Sequence, residues 1–515
     1  MWRDAAIALS LANLVYFRVW SDLLVYTRDH AFWIKSPPGP SDYAAAMLNV
    51  LLAGGLFFAG ATLARRAASG SLRMLARWAF LLVLLIAVNA FRSVYQKPDL
   101  IPLLRHKLFA VVTGVTLAMM GLFVLLRWHR QLVRAVSLVL LFLAPSVVFT
   151  FAQAIVATVR HDPASFADKP LAAPLANHAQ PAARVLWLIF DEMDFRLTFL
   201  ERDPSLRLGE IDRLRSQSLY ASQAYPPGRD TDLSVPALLT GKGVTEARGL
   251  GAGELLLTFS DSKERFPWST QPNIFSRARE AGFNTAVVGW HIPYCRVLHA
   301  NLTACWWEAG PKSTHLGDAF WAILVNQTRS LFESSQVSPF GQSLSTRQKI
   351  GINRGVLEHA KQVAANPAFG LVFVHLPVPH APHVYDRSVR QFSLKNSPIR
   401  GYLDSLELAD ATLGELRHSM EVAGTWENTT VLLTADHPYR QAAALDGKHD
   451  GRVPFLLKLA RQKEPAVFNA PFNTVLTPEL LLAILQGELS TPDAVVAWLN
   501  RHSTPPGLAR QTRPP

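Results

Sequence analysis

Thr231 is the residue whose type and setting most suggest covalent chemistry. It lies in the stretch "YPPGRDTDLSVPALLTGK" (225–242), between two aspartates and ahead of an apolar run. A threonine hydroxyl there can be a helix-capping group or an attacking nucleophile, and a nucleophilic hydroxyl needs a base or a metal ion for activation. Asp230 and Asp232 are common turn and capping residues, so we predict that role for both. The activating group is therefore expected from elsewhere in the chain.

Acidic and imidazole side chains follow four short apolar runs. These runs are "VLWLIF" (185–190), "TAVVGW" (285–290), "FGLVFV" (369–374) and "TTVLLTA" (429–435), and the residues behind them are Asp191 and Glu192, His291, His375 with His380 and His383, and Asp436 with His437. A fifth run, "VPFLLKL" (453–459), and helix-like stretches at 274–282 and 402–421 complete the pattern. This alternation predicts an α/β domain with a largely parallel sheet and helices on both faces.

The strand ends predict one metal-dependent site. Ligands bind outside the carboxyl ends of strands in such sheets, so the four ends should deliver their side chains to one edge. Taken singly, each histidine or aspartate would more often be a structural residue or a helix cap; the prediction depends on the set. Carboxylates and imidazoles without thiolates suit zinc, or harder ions such as manganese, magnesium or calcium. Such an ion activates a hydroxyl and neutralises charge on a phosphoryl or sulfuryl oxygen.

The first third of the chain predicts a membrane anchor. The whole sequence is 49% hydrophobic and 17% charged, with a mean hydropathy of +0.14. Five apolar stretches approach the roughly 20 residues that cross a bilayer. They are Ala5–Tyr26, Ala44–Leu63, Met74–Phe91, Leu108–Leu126 and Ala135–Ala157. Arg18 and Asp22 interrupt the first stretch, which is the weakest of the five.

The distribution of charge argues against nucleic-acid binding. The net charge is +12, but residues 1–160 hold 16 Lys/Arg and 5 Asp/Glu, so the excess lies among the apolar stretches. Basic loops at 64–77 and 127–134 fall on one side, which should be the cytoplasm, although the loop at 91–107 is also basic. The composition looks bacterial. We therefore predict a multi-pass inner (cell) membrane protein whose part after Ala157 faces the periplasm or the extracellular side.

The predicted domain boundaries follow from these shifts in composition. Residues 1–160 are predicted to form a transmembrane helical domain, 161–184 a Pro/Ala-rich linker, 185–500 the catalytic domain and 501–515 a disordered tail. The only cysteines, Cys295 and Cys305, would close one small loop in an oxidising compartment or remain two free thiols.

These parts together resemble the alkaline phosphatase superfamily, in its sulfatase-like branch. The sulfatase signature, Cys or Ser-x-Pro-Ser-Arg-x-x-x-Leu-Thr-Gly, can be laid on Leu239-Thr240-Gly241. Its first position then falls on Thr231 and its fourth on Ser234. Threonine cannot become formylglycine, which argues against ordinary sulfatase chemistry. The same stretch is similar to the Thr-x-x-Ser-Val-Pro of lipid A phosphoethanolamine transferases, with the nucleophile again at Thr231.

The resemblance implies roles for the other residues. Asp191 or Glu192, with Asp436 and His437, would hold the main metal ion, and His380 and His449 a second ion or the substrate phosphoryl group. Candidate substrate contacts are His291, His375, His383, Lys448, Ser234 and Arg229. For His375 and His383 a supporting role is the alternative, and an ordinary exposed turn is the alternative for Arg229. The predicted fold is thus a bundle of about five transmembrane helices followed by a sulfatase-like mixed sheet flanked by helices.

The resulting functional prediction is a membrane-anchored, metal-dependent transferase. It would move a phosphoethanolamine- or phosphoglycerol-type group from a phospholipid donor to an envelope glycan or lipid acceptor through a covalent Thr231 intermediate. Lipoteichoic-acid synthases resemble this layout as well. The alternatives are a sulfatase-like phosphodiesterase or sulfuric-ester hydrolase, and a catalytically silent protein of envelope assembly.

Overall fold

The computed structural model describes residues 1–24, 30–66, 69–95, 127–175, 183–310, 317, 319–333, 343–394 and 400–503. Its α-helices are α1 Trp2–Val15, α2 Phe17–Leu24, α3 Pro40–Arg66, α4 Gly70–Tyr95, α5 Arg127–Phe142, α6 Ala144–Val159, α7 Gly209–Arg215, α8 Thr231–Thr240, α9 Ile274–Glu280, α10 Tyr294–Val297, α11 Phe320–Glu333, α12 Ser343–Ala365, α13 Gly401–Val422, α14 Ala443–Asp446, α15 Thr477–Leu485 and α16 Pro492–His502. Its strands are β1 Val185–Phe190, β2 Leu219–Ala221, β3 Ala224–Tyr225, β4 Val244–Gly249, β5 Leu255–Phe259, β6 Arg265–Pro267, β7 Thr285–Trp290, β8 Ala304–Glu308, β9 Leu371–Leu376, β10 Tyr385–Asp386, β11 Gln391–Phe392, β12 Thr430–Thr434, β13 Phe455–Lys458, β14 Ala466–Phe468 and β15 Phe472–Asn473.

The chain divides into two compact units. The first unit comprises Met1–Thr27, Ser36–Pro163 and Thr314–Leu344, and the second comprises Arg28–Lys35, Ala164–Ser313 and Ser345–Pro515. Neither unit is one continuous stretch. A short segment from between α2 and α3 belongs to the second unit, and α11 belongs to the first.

The first unit is helical, and several of its helices are long and apolar enough to cross a membrane. Helices α3 and α4 pass this test singly. The pair α1 and α2, bent by 62°, and the pair α5 and α6, bent by 41°, pass it if each pair counts as one span. The described residues therefore contain two to four candidate spans. The predicted first span, Ala5–Tyr26, is broken near Tyr16, and the predicted span Leu108–Leu126 lies outside the described residues.

A polar contact fixes α11 within the first unit. The side-chain amide of Asn49, on α3, donates to Gln327 Oε1 on α11 at 3.1 Å, and Gln327 Nε2 donates to the carbonyl of Asp42 at 2.9 Å. Both side chains are buried, and buried polar groups persist when they find such partners.

The second unit is built on a mixed eight-stranded sheet, as predicted. The strand order is β14-β2-β13-β12-β1-β9-β7-β8. Strands β12, β1, β9, β7 and β8 run parallel, whereas β13 pairs antiparallel with both β12 and β2. The central strands are apolar runs buried on both faces, which is why they read as continuous hydrophobic stretches in the sequence.

The strand register aligns the ends that carry the polar residues. Ile189 of β1 pairs with His375 of β9 on one side and with Thr434 of β12 on the other. Asp191 and Asp436 each lie two residues beyond this paired row. Because the three strands are parallel and adjacent, their side chains reach the same sheet edge.

The two cysteines form a disulfide in the structure. Cys295, on α10, is bridged to Cys305, on β8, with their Cα atoms 5.6 Å apart. The alternative of two free thiols is therefore not the one that the structure adopts. The bridge joins the segment that follows β7 to the edge strand of the sheet.

Candidate active site

Helix α8 places Thr231 in its first turn because Asp230 caps it. Asp230 has an extended backbone, and its carboxylate accepts a hydrogen bond from the backbone nitrogen of Leu233 at 3.2 Å. The helix ends at Gly241, whose φ of +71° suits glycine. The capping role predicted for Asp230 is confirmed. Thr231 therefore lies at the helix end whose partial positive charge favours negative groups.

The Thr231 hydroxyl points at the end of β12. Its Oγ1 donates to Asp436 Oδ2 at 2.7 Å and lies 3.4 Å from His437 Nε2. The other oxygen, Asp436 Oδ1, accepts from the backbone nitrogens of His437 at 2.9 Å and Glu192 at 3.2 Å. All four groups are buried. The threonine is thus not the cap of its helix; its hydroxyl is held against a fully hydrogen-bonded carboxylate.

Three strand ends form a group that can hold a metal ion. Asp191, His375 and Asp436 are buried, and one donor atom from each lies within 4.8 Å of the others. Asp191 Oδ1 and His375 Nε2 have no hydrogen-bond partner in the described part of the chain, although both are buried. The other nitrogen of His375 bonds to the Tyr294 hydroxyl at 2.9 Å, which fixes the ring. Buried, unpaired donors of this chemistry fit a divalent cation.

The electrostatics of this cluster also favour a cation. Burial and the neighbouring Asp436 carboxylate raise the pKa of Asp191 well above its usual value. Burial tends to raise the pKa of Asp436 too, but His437 and the Thr231 hydrogen bond leave it lowered overall. Burial lowers the pKa of His375 to about 3, so its ring is neutral, the form that binds metals. Two buried carboxylates facing one another repel unless a positive charge separates them.

Glu192 turns away from this cluster. Its carboxylate accepts from Arg440 Nε at 2.7 Å, and its backbone has a φ of +64°, which is uncommon for a residue with a side chain. Arg440 also approaches His380 Nε2 at 3.4 Å. The geometry favours Asp191 over Glu192 as the carboxylate for a metal ion, since Asp191 is in the metal-type group and Glu192 pairs with an arginine. His380 lies beside that arginine, with its ring centroid 5.1 Å from that of Trp290.

A second group of side chains lies beside Thr231, around Asp232. Asp232 Oδ1 accepts from Trp33 Nε1 at 2.8 Å and lies 3.1 Å from His291 Nε2. Burial alone would lower the pKa of His291, but the Asp232 carboxylate raises it overall, with smaller contributions from Asp191 and Asp436. His291 is 31% exposed, so a substrate can reach it. The predicted turn role of Asp232 is incomplete, because its carboxylate also holds the His291 imidazole.

Two of the remaining predicted residues are buried. Ser234 is fully buried one helical turn after Thr231, and Gly228 passes so close that a Cβ there would lie 2.9 Å from its Oγ. His383 is buried, with Nδ1 3.1 Å from Ser405 Oγ, which suits a supporting role.

Three predicted residues lie outside this core. Arg229 is 86% exposed and pairs with Asp230, so it has the exposed turn setting of its alternative. Lys448 donates to Glu201 at 2.9 Å on the surface, and its predicted contact with a phosphoryl group stays a prediction. His449 is exposed, and the metal-type group found among the described residues does not include it. Both Lys448 and His449 lie in the loop that precedes β13. The positions of side chains in this loop cannot be predicted from the register of a strand.

Four residues near the site were not predicted from the sequence. Trp33, Tyr294 and Arg440 form side-chain hydrogen bonds to residues distant in sequence, with Asp232, His375 and Glu192 respectively. Lys349, on α12, is fully buried with its ammonium 3.6 Å from the centroid of the Trp290 ring. Lysine inside an otherwise amphipathic helix carries no local signal of burial, so only the tertiary structure reveals it.

Comparison with known proteins finds a family match in part of the chain. Residues 326–481 match the family model described as Sulfatase. No curated protein sequence matches the chain. The match confirms the prediction of a sulfatase-like enzyme domain, while the phosphotransferase branch stays a prediction.

Several solved structures are similar to this chain at low sequence identity. The PsFucS1 sulfatase from Pseudoalteromonas sp. is 15% identical, with 61% of this chain and 69% of that chain covered and a TM-score of 0.42. A protein in the alkaline phosphatase superfamily from Vibrio parahaemolyticus is 13% identical, with 59% and 66% covered and a TM-score of 0.38. The phosphonate monoester hydrolase of Agrobacterium radiobacter is 12% identical, with 59% and 74% covered and a TM-score of 0.37.

Proposed function

We propose that this chain is a membrane-bound enzyme that transfers a phospho-substituent from a phospholipid to an envelope acceptor through Thr231. The observation that carries the proposal is the Thr231 hydroxyl, which donates to Asp436 at 2.7 Å in the first turn of α8. A buried hydroxyl with a carboxylate acceptor, a neighbouring imidazole and a helix N-terminus is an arrangement for nucleophilic attack.

The residues that would hold a divalent ion are Asp191, Asp436 and His375, with His437 adjacent. His437 Nε2 lies 3.4 Å from Asp436 Oδ2 and 4.0 Å from Asp191 Oδ1. A divalent ion bound there would lower the pKa of the attacking hydroxyl and place positive charge near the phosphoryl oxygens. Zinc is the ion that we expect first, with manganese, magnesium or calcium as alternatives.

The proposed first half-reaction forms a phosphothreonine diester. Thr231 Oγ1 attacks the phosphorus of the phospholipid, and its proton passes toward Asp436 Oδ2, the acceptor of its hydrogen bond. The bond between phosphorus and the glycerol oxygen of the lipid breaks, and that oxygen keeps the electron pair. His291 is the proposed proton donor to this oxygen, because Asp232 favours its imidazolium form. The products are a diacylglycerol and a headgroup phosphate on Thr231.

The second half-reaction regenerates the threonine. A hydroxyl of the acceptor gives its proton to the now neutral His291 and attacks the phosphorus. The bond from phosphorus to Thr231 Oγ1 breaks, and the threonine oxygen recovers its proton from Asp436. The acceptor is proposed to be an envelope glycan or lipid, on a bacterial inner membrane with the catalytic unit on the periplasmic or extracellular side.

Two features support transfer through threonine over ordinary sulfate-ester hydrolysis. Thr231 stands where sulfatases carry a residue converted to formylglycine, and threonine cannot be converted. The apolar helices of the first unit would hold the enzyme at the surface where phospholipid headgroups lie. The sulfatase match over residues 326–481 supports the second candidate, a phosphodiesterase in which water takes the group from Thr231.

Mass spectrometry of the full chain tests the proposal. The protein, in nanodiscs containing phosphatidylethanolamine or phosphatidylglycerol and without acceptor, is quenched in acid and digested. We expect a headgroup phosphate on the peptide that contains Thr231. Absence of any adduct from protein with confirmed bound metal contradicts the transferase. Comparing acceptor-dependent transfer with release to water separates the two enzyme candidates, and no turnover of any ester would favour the silent protein.

A matched pair of threonine variants identifies the nucleophile. Thr231 and Thr240 are at opposite ends of α8 and equally exposed, at 8% each, but Thr240 donates only to the backbone carbonyl of Pro236. We expect Thr231→Ala to abolish the adduct and turnover while metal content is retained. Thr240→Ala should retain both. Full activity of Thr231→Ala would exclude Thr231 as the nucleophile.

A further inference from the structure

The second unit includes a short segment from between the first apolar helices. His30–Trp33 forms a 3-10 turn, and Phe32 is fully buried in the main hydrophobic core of this unit. Lys35 lies over the Trp307 ring, with its ammonium 4.4 Å from the ring centroid, and donates to the Trp307 carbonyl. Arg296 donates to the carbonyl of Ile34 at 2.9 Å. The segment is therefore an integral part of the catalytic unit and not a loose connection.

Trp33 extends from this segment to the residue that follows Thr231. Its indole nitrogen donates to Asp232 Oδ1 at 2.8 Å, and the same oxygen is 3.1 Å from His291 Nε2. An indole N–H can only donate, so it holds the carboxylate as an acceptor and fixes its rotamer. Hydrogen bonds to a charged acceptor are about twice as strong as neutral ones. One oxygen thus joins Trp33 to the imidazole beside the nucleophile.

The imidazole needs such support. His291 has a φ of +67°, an uncommon backbone conformation for a residue with a side chain, and it is partly exposed. Its imidazole forms a hydrogen bond with the Asp232 carboxylate. A carboxylate free to rotate would release the ring from this hydrogen bond.

We propose that Trp33 is a positioning residue for the reaction, acting through Asp232 on His291. The inference rests on the proposed function, because it assigns His291 to proton transfer at the leaving oxygen. Trp33 itself touches neither substrate nor reacting atoms in this account. The active site of this chain is accordingly complete only with residues 30–35, which lie far from the catalytic motifs in sequence.

Trp33→Phe in the full-length protein tests the proposal. Phenylalanine keeps an aromatic ring to pack on Phe32, whose centroid is 5.2 Å from that of Trp33, and removes the donor together with one of the two fused rings. We expect kcat to fall about tenfold, in line with loss of one hydrogen bond to a charged group, with little change in KM. The matched control is Trp268→Phe, since Trp268 is fully buried and its indole nitrogen has no hydrogen-bond partner among the described residues.

The pH profile and a double-mutant cycle separate positioning from general stability. The titratable groups that interact electrostatically with His291 are the carboxylates of Asp232, Asp191 and Asp436 and the imidazole of His375. In Trp33→Phe the Asp232 carboxylate is held less firmly, so the alkaline limb of the kcat/KM pH profile should move to lower pH. In Trp268→Phe the alkaline limb should not move. In an Asp232→Ala background, Trp33→Phe should have no further effect. Additive losses, or a wild-type kcat and pH profile in Trp33→Phe, would overturn the proposal.

The outcome is distinguishable from failure of the proposed function. If Thr231→Ala abolishes turnover and Trp33→Phe does not reduce it, only the role of Trp33 is wrong. If Thr231→Ala retains full turnover, the nucleophile assignment is wrong as well. The double-mutant cycle can be interpreted for any ester that the enzyme turns over, because it compares the same reaction in four proteins.

Discussion

Replacing Lys349 by methionine should make the catalytic unit more stable and its activity lower. The Lys349 ammonium is fully buried without a hydrogen-bond partner in the described residues, and lies over the Trp290 ring. Burial lowers its pKa from 10.5 to about 7, against the opposing effect of Asp191 and Glu192. A shift of that size corresponds to about 5 kcal/mol of unfavourable free energy for the charged form. Methionine loses the cation–π contact, about 2 kcal/mol when desolvated, so the net gain should be on the order of 3 kcal/mol.

The direction of the Lys349 pKa shift determines how the gain in stability depends on pH. Below pH 7 the lysine is charged in both the folded and unfolded states, so the full penalty is present. Between pH 7 and 10.5 the unfolded chain binds more protons, and the penalty falls as pH rises. We therefore expect Lys349→Met to raise Tm by about 5 °C at pH 6.5 and by little near pH 10.5.

Differential scanning fluorimetry of the full-length protein with a chelator present measures this effect. The matched control is Lys458→Met, because Lys458 is also buried beside a tryptophan, Trp426, but its ammonium donates to the Leu459 carbonyl at 3.4 Å. Its gain should be smaller. An unchanged or lower Tm for Lys349→Met at pH 6.5 refutes the electrostatic account, and an equal gain at pH 10.5 would attribute the effect to packing. We expect turnover of Lys349→Met to fall, since stabilising a site often lowers its activity.

Three further predictions address the site and its surroundings. Asp232→Asn removes the carboxylate that raises the pKa of His291, so the alkaline limb of the kcat/KM pH profile should move to lower pH. An alkaline limb that does not move would show that His291 is not the group that transfers the proton. Asp191→Asn should lose bound metal, measured by elemental analysis, whereas Glu192→Gln should retain most of it; the reverse order would make Glu192 the ligand. Asp410 accepts from the backbone nitrogen of Ile211, and burial raises its pKa from 3.8 to about 6, so the fold loses stability as pH rises between these two values. Asp410→Asn, which keeps an acceptor, should raise Tm at pH 8 and leave it unchanged at pH 3.5; equal Tm values at pH 8 would contradict this.

The sheet was largely predictable because its central strands are buried on both faces. The runs 185–190 and 285–290 coincide with β1 and β7, and β9 and β12 begin within two residues of the predicted runs. A continuous apolar run bounded by polar residues is the local signature of such a strand, and parallel neighbours bring the ends to one edge. The meeting of Asp191, His375 and Asp436 follows from that register and needed no further information.

The parts that sequence did not predict depend on contacts between distant residues. Lys448 and His449 follow no strand, so their motif positions did not fix where their side chains point. His375 was expected as a substrate contact, yet it joins the metal-type group because it lies within β9, in the row that β1 and β12 share. Lys349 and Trp33 belong to elements whose local pattern contains no chemical motif. A contact across 199 residues, such as that of Trp33 with Asp232, leaves no trace in spacing.

The two aspartates beside Thr231 show how one local pattern can serve two purposes. Asp230 caps α8 and so places Thr231 in the first turn, where its hydroxyl faces Asp436. Asp232, one residue further on, is rotated about 100° around the helix from Thr231 and so can hold His291 from another direction. The start of the helix thus separates a residue that builds the turn from one that holds an imidazole, with the proposed nucleophile, Thr231, between them. Because both roles require a carboxylate at a fixed step from Thr231, shifting the cap by one residue would disturb the hydroxyl and the imidazole together.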